Sequence, residues 1–267
     1  MSVTSPNVAL AATLHDATGA LAGDLRRHLP ALRRLYGAVA VATSPTTSPR
    51  IIETLRKAGC FAGAPEANER GPLYRLALRS ARAHGGDFVH YLDLDRALHW
   101  VPRGRSLGAL VRTVGHDVVL VGRTERAHRS HHRPLFVTET EANRTLATQA
   151  GLRGRIDFLA PSFIVSREAC GTLLARSRAR GSTIYGELAA LLLGLTSEIG
   201  YVECAGLDWE TPDRHRREVA RLGLARWRRR WDSSEEWTFR YALATDVVRG
   251  FARTLARYPA RARLRRS

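Results

Sequence analysis

The sequence predicts an α/β protein: a mostly parallel sheet flanked by helices, followed by a helical C-terminal extension. Three observations carry this. Short continuous apolar runs alternate with longer segments of helical periodicity, the pattern of strands buried on both faces and joined by crossover helices. Glycine, proline and small hydroxyl residues cluster between them, as turns require. From about residue 213 the chain changes to basic, tryptophan-containing helical sequence. Two units are therefore expected, 1–212 and 213–267.

In order, Val8-Ala9-Leu10-Ala11-Ala12-Thr13-Leu14 is an uninterrupted apolar strand ending in the polar turn 15–19. A helix over 21–35 places Leu25, Leu29, Leu32 and Leu35 on one face and keeps Arg26, Arg27, Arg33 and Arg34 off it. The run 38–42 is a second strand, and Ser48-Pro49 supplies an N-cap and first-turn proline for a helix over 50–58. A loop with Gly59, Gly63 and Pro65 leads to a helix over 72–84, which Gly85-Gly86 stops. Next comes a strand predicted to run through 87–95.

Downstream, 105–115 reads as helix and 116–122 as strand; Gly122-Arg123-Thr124-Glu125-Arg126 follows, then a His/Arg loop through Pro134. Thr138-Glu139-Thr140-Glu141 opens a helix to about 150, with acids suited to its first turn. The apolar stretch 156–165 is broken at Ala160-Pro161-Ser162; helices follow over 167–178 and 188–195, then a late strand at 200–204. The remainder reads as helix, and no internal repeat is present.

Hydrophobic residues make up 44% of the 267, and the mean hydropathy is −0.24, which excludes a disordered chain. The formal charge is +17. Such a charge suggests nucleic acid or an anionic membrane, but Lys57 is the only lysine. So strong a preference for arginine points to a coding-composition bias and weakens charge as a guide to partners. Cys60, Cys170 and Cys204 are far apart, without metal or redox spacing, and suit buried positions in a reducing cytoplasm. The apolar run 8–14 lacks a preceding basic residue and meets Asp16 at once, unlike a signal peptide. The run 188–195 is too short to span a bilayer. A cytoplasmic protein is expected.

The chemistry-bearing stretch is Asp87-Phe88-Val89-His90-Tyr91-Leu92-Asp93-Leu94-Asp95. Alternation along this strand puts Asp93 and Asp95 on one face, with Leu94 pointing into the core. Paired carboxylates want solvent or a cation, and hard divalent ions take one or two carboxylates plus phosphate oxygens. The competing reading is a solvated loop. In an open parallel sheet ligands bind beyond the carboxyl ends of strands, and both 15–19 and Asp93/Asp95 directly follow strands.

This order of features resembles the GT-A glycosyltransferases, the nucleotide-diphospho-sugar transferase fold, in a family-2-like form. The resemblance spans roughly 7–210 and rests on Asp93-Leu94-Asp95 and its place in the chain. It implies Mg²⁺ or Mn²⁺ at Asp93 and Asp95, with Asp93 also meeting the donor. It further implies that His15 and Asp16 touch the nucleobase and that Arg75 or Arg79 meets the diphosphate. The family's Glu-Asp base motif is represented only by Glu187, in Gly186-Glu187-Leu188; Asp208 is the second candidate base. Glu187 also reads as an ordinary helix-start acid. Trp209 is either a sugar-stacking surface or core, and His215 either a third ligand or solvated. The resemblance implies a metal-dependent transfer of a sugar from a nucleoside-diphosphate sugar to an acceptor of open identity: a glycan, a lipid-linked molecule or a small molecule.

Two other classes compete. A haloacid-dehalogenase-like phosphatase also uses a strand-end DxD, but on its first strand and with a downstream acidic pair that is missing here. A nucleic-acid-binding protein would use the basic surface, yet no zinc-finger or RNA-recognition motif is present and the arginines are spread throughout. The basic tail is read either as packing or as a peripheral contact with the anionic inner membrane face.

Overall fold

The computed structural model describes residues 7–104, 106–112 and 114–266. The first half contains β1 (Val8–Leu14), α1 (Ala22–Leu35), β2 (Ala38–Thr43), α2 (Pro49–Lys57), β3 (Phe61–Gly63), α3 (Arg70–His84), β4 (Phe88–Leu92), α4 (Leu94–Trp100) and α5 (Ser106–Arg112). It continues with β5 (Val118–Arg123), α6 (Glu125–Ser130), α7 (Arg133–Gln149), β6 (Ser162–Ser166), α8 (Arg167–Arg176), α9 (Ile184–Leu193) and β7 (Glu198–Cys204). The last elements are α10 (Arg216–Leu222), α11 (Leu224–Arg229), α12 (Ser234–Arg257) and β8 (Arg263–Arg266).

The strands form one sheet in the order β3-β2-β1-β4-β6-β5-β7-β8. All pairs are parallel except those of β6, which runs antiparallel to both β4 and β5. Because β1 lies between β2 and β4, the chain leaves it toward opposite edges, and a crevice opens at their carboxyl ends. The sheet is covered on both faces, and β1 shows why its sequence is apolar throughout. Val8, Leu10, Ala12 and Leu14 join one core, while Ala9 and Ala11 join the other.

Several boundaries differ from the sequence reading. The DxD strand ends at Leu92, and Asp93 is the residue before α4. The shared face expected from strand alternation is therefore replaced by a strand-to-helix junction. The predicted His/Arg loop forms α6 and the start of α7, so Glu139 and Glu141 lie inside a helix that opens at Arg133. Only Ser162–Ser166 of the apolar 156–165 region is strand. The helix read over 105–115 is Ser106–Arg112, and Arg105 and Thr113 lie outside the described residues. Strands β3 and β8 carry too few residues for a period-two pattern to show.

The C-terminal segment joins the same body. β8 pairs with β7, and α12 crosses α9 at backbone contact distance. A Cβ on Gly186 would stand 2.0 Å from the Val247 carbonyl oxygen, and one on Gly250 would stand 2.3 Å from that of Thr183. Only glycine permits this approach. Among the described residues no helix is long and apolar enough to cross a membrane.

Candidate active site

The site begins where β1 and β4 end side by side. Thr13 Oγ1 and the Tyr91 hydroxyl both donate to Asp93 Oδ1 at 2.7 Å, and lie 2.8 Å from each other. Tyr91 is itself stacked between Tyr74 and Phe163. Burial, reinforced by the neighbouring Asp95 charge, pushes the Asp93 carboxyl up to about 6. A carboxylate in that state favours a cation nearby.

Asp95 is engaged differently. Its Oδ1 accepts from the Arg96 amide at 2.9 Å, and its Oδ2 meets Arg214 Nη2 at 2.7 Å. Arg214 comes from the short turn of 3₁₀ helix Thr211–His215, and its Nη1 donates to the His15 carbonyl at 2.8 Å. One arginine thus bridges the turn after β1 and the DxD.

These residues fit a divalent cation of the kind held chiefly by substrate. Of the two Asp93 oxygens only Oδ1 accepts a hydrogen bond from the described residues, and among those residues no group of three or more metal-ligating side chains exists. Two carboxylates completed by diphosphate oxygens and water make a magnesium or manganese shell of ordinary type.

From Asp93 the crevice opens into a cleft of about 160 Å³. Its walls include Arg96 of α4, His131 and His132 ahead of α7, Glu139 of α7, Tyr185 of α9, Trp209 and Glu210 after β7, Trp231 after α11, and Arg240 of α12. Arg96 Nη2 is 3.6 Å from Glu210 Oε1. Burial, with help from Arg123 and Arg96, lowers His131 well below the usual imidazole range; burial and Arg240 lower His132 to about 4. Both rings are neutral near pH 7.

Beneath the cleft lies a buried ion cluster. Arg123 Nε is 2.7 Å from Asp157 Oδ2, its Nη2 is 2.9 Å from Asp157 Oδ1, and Nη2 also donates to Glu139 at 2.5 Å. Burial alone would raise both acids, but the guanidinium prevails and holds Glu139 down to about 2 and Asp157 lower still. Glu139 is thereby a fixed anion and a weak base.

The structure brings only some of the sequence candidates to this place. Asp16 is buried, with its carboxylate accepting from the amides of Leu21 at 2.9 Å and Ala20 at 3.0 Å, which ties down the entry to α1. The exposed His15 ring lies beside Ser44 Oγ at 2.8 Å. Arg75 donates to the Ala179 carbonyl at 2.7 Å, and Arg79 is exposed on α3. Glu187 is buried outside the cleft lining; it accepts from Ser177 Oγ at 2.6 Å and from the amides of Arg178 and Ala179 at 2.8 and 2.9 Å. Asp208 accepts from His99 Nε2 at 2.9 Å, and the other ring nitrogen of His99 contacts Asp213 at 2.6 Å. Trp209 is buried in an aromatic cluster with Trp227 and Trp231 and contributes to the cleft lining. His215 is exposed, packed on Trp227 and 3.8 Å from Glu218.

Sequence reasoning missed Arg96, His131, His132, Glu139, Glu210, Arg214 and Arg240 as site residues. Two had a usable local signal: Arg96 adjoins the DxD, and Glu210 lies two residues beyond Asp208. The others arrive from helices remote in sequence.

No protein-family model matches the sequence, and no curated protein matches it. Solved structures do. Mannosyl-3-phosphoglycerate synthase from Rubrobacter xylanophilus superposes with a TM-score of 0.58 over 94% of this chain and 74% of that one, at 16% identity. The chain has the GT-A fold. Glucosyl-3-phosphoglycerate synthase from Mycobacterium tuberculosis, in complex with Mn²⁺, uridine diphosphate and phosphoglyceric acid, gives a TM-score of 0.51, covering 84% of this chain and 78% of that one at 20% identity. In another structure of that synthase, with Mn²⁺, UDP-glucose and phosphoglyceric acid, the match spans 70% of this chain and 64% of that one, at 19% identity and a TM-score of 0.48. In GT-A terms, β1 to β4 form the half that carries the DxD, and the cleft lies between that half and α7, α9 and α12.

Proposed function

We propose that this protein is a metal-dependent glycosyltransferase that moves a sugar from a nucleoside-diphosphate sugar to a small-molecule acceptor. The observation that carries the reading is Asp93: a carboxylate at the crevice between β1 and β4, raised by burial, with one oxygen oriented by Thr13 and Tyr91. The solved synthases of the same fold, one of them holding Mn²⁺ and uridine diphosphate, support it.

In this reading Asp93 and Asp95 hold Mg²⁺ or Mn²⁺, which when bound supplies positive charge opposite the departing diphosphate. Thr13 and Tyr91 keep Asp93 in one orientation, so little reorganisation is needed when the donor arrives. The turn at His15 and Asp16 forms the rim for the nucleobase, with Asp16 shaping the turn through its backbone bonds. Arg214 lies between that turn and Asp95, where a diphosphate would compete for or recruit its guanidinium. Asp208, held by His99 at the same end of the sheet, and Glu187, which braces the segment around Ala179, are assigned supporting roles.

The test is thermal melting with a panel of nucleoside diphosphates, with and without Mn²⁺, on the wild type and on Asp93→Ala/Asp95→Ala. A ligand that binds the native state alone raises the melting temperature. A metal-dependent rise with one nucleotide, lost in the double variant, is expected. No rise with any nucleotide at saturation refutes the reading.

A further inference from the structure

The cleft beside Asp93 contains a concentration of buried polar atoms that no protein group satisfies. Arg96 Nη1, His131 Nε2, His132 Nδ1 and Glu210 Oε2 all lack a hydrogen-bond partner among the described residues, and all four residues line the cleft. Buried polar atoms are nearly always paired, so a group of orphans around one cavity marks where a polar ligand completes the bonding. The set is mixed: Glu210 Oε2 can only accept from a neutral ligand's hydroxyl, while Arg96 Nη1 can only donate. A hydroxyl group satisfies both kinds.

The charges around the cleft are already balanced. Arg96 faces Glu210 at 3.6 Å, Arg240 is 2.7 Å from Glu236, and the Glu139 carboxylate is paired with Arg123. The two imidazoles are neutral, as described above. Among the described residues that line the cleft, neither arginine is left without a carboxylate partner to meet a phosphate or carboxylate ligand, and Asp93 adds a further anion to the lining. Trp209, Trp231 and Tyr185 add aromatic surface to the walls, which suits the apolar C–H groups of a ring.

We propose that this cleft is the acceptor site, that its ligand is an uncharged hydroxyl-bearing ring such as a sugar or cyclitol, and that Glu210 takes the proton of the attacking hydroxyl. The transfer step rests on the donor reading given above. In it the acceptor oxygen forms a bond to the anomeric carbon, the bond from that carbon to the diphosphate breaks, and the diphosphate leaves with the electron pair. The hydroxyl proton passes to the Glu210 carboxylate. Arg96, 3.6 Å from that carboxylate, donates to a second hydroxyl and fixes the ring's orientation.

The experiment uses the tryptophans that line the cleft. Methyl α-D-glucopyranoside, myo-inositol and 3-phosphoglycerate are each titrated into the full chain, with and without nucleoside diphosphate and Mn²⁺, while tryptophan emission is followed. A saturable change with a neutral ring, and none with 3-phosphoglycerate, is expected. Glu210→Ala should weaken ring binding at least about tenfold, as loss of a bond to a charged acceptor implies, while the nucleotide melting shift stays as in wild type. Glu210→Gln should keep the ring response but lose about 100-fold in transfer rate, the effect of removing a base. A response to 3-phosphoglycerate alone, or no response to any of the three, overturns the proposal. So does ring binding indifferent to Glu210→Ala in a variant whose unliganded melting temperature is unchanged. The nucleotide shift is scored separately: its absence, with ring binding intact, removes the donor reading and leaves the ring site standing.

Discussion

Arg214 Nη2 lies 2.7 Å from Asp95 Oδ2, and the same guanidinium donates to the His15 carbonyl. An internal cation therefore already occupies one of the two DxD carboxylates, from a segment 119 residues later in the chain. A divalent ion must share Asp95 with it or displace it.

Replacing Arg214 by glutamine removes that competitor. Mn²⁺ affinity, read from the free-ion electron paramagnetic resonance signal, should rise about fivefold, in keeping with the ~1 kcal/mol of a partly exposed ion pair. An unchanged affinity would show that Arg214 and the metal do not compete.

Asp93 predicts a pH dependence. Its carboxyl is raised from 3.8 to about 6, so its contribution to folding is favourable below the unfolded value and is lost as pH rises through about 6. Metal binding needs the ionised form and has the opposite slope. The melting shift produced by Mn²⁺ should therefore grow as pH rises through 6, and in Asp93→Asn that slope should vanish.

The Arg123–Asp157–Glu139 cluster is a stability determinant. Arg123→Leu leaves the buried Asp157 and the partly exposed Glu139 without their cation and should destabilise the protein by about 3–5 kcal/mol, measurable by urea denaturation. Both acids are lowered in the folded state, so their stabilisation is complete above the ordinary carboxylate range and is lost as pH falls toward the folded values, about 2 for Glu139. Acid unfolding of the wild type should lie in that window, and the variant should lose this component of it.

His99 gives the reverse sign. Burial would lower it, but its bonds to Asp208 and Asp213 prevail and raise it above 6.5. The stability it provides is present below the unfolded value and is lost as pH rises through the raised one. In a nuclear magnetic resonance titration the His99 ring should titrate above an ordinary histidine, and His99→Asn should abolish that resonance while loosening the segment at Asp213.

Gly186→Ala tests the union of the C-terminal helix with the cleft. A methyl group there would stand 2.0 Å from the Val247 carbonyl, so α12 must move. A loss of about 1–3 kcal/mol is expected, with faster amide exchange in α12 than in β1, whose packing is untouched. Equal exchange in both would refute a local effect.

What the sequence determined by itself was the layered architecture and the place of the DxD. Apolar runs such as 8–14 can only be strands covered on both faces, and the leucines of α1 fix which side of that helix is buried. Those are local periodicities, readable within one element. Where Asp93 was concerned, the strand could be read but its end could not, because Leu94 and the residues after it suit helix and strand alike.

The tertiary structure alone decided which polar residues share the cleft. Arg96, His131, Glu139, Glu210 and Arg240 come from α4, the turn between α6 and α7, α7 itself, the segment after β7 and α12. Their meeting depends on the antiparallel insertion of β6 and on the glycine crossing of α9 and α12. It also fixed the fates of Glu187 and Asp208, whose carboxylates look equally available in sequence. Backbone amides hold one and His99 the other, and hydrogen bonds of that kind, between segments far apart in the chain, leave no pattern in local spacing.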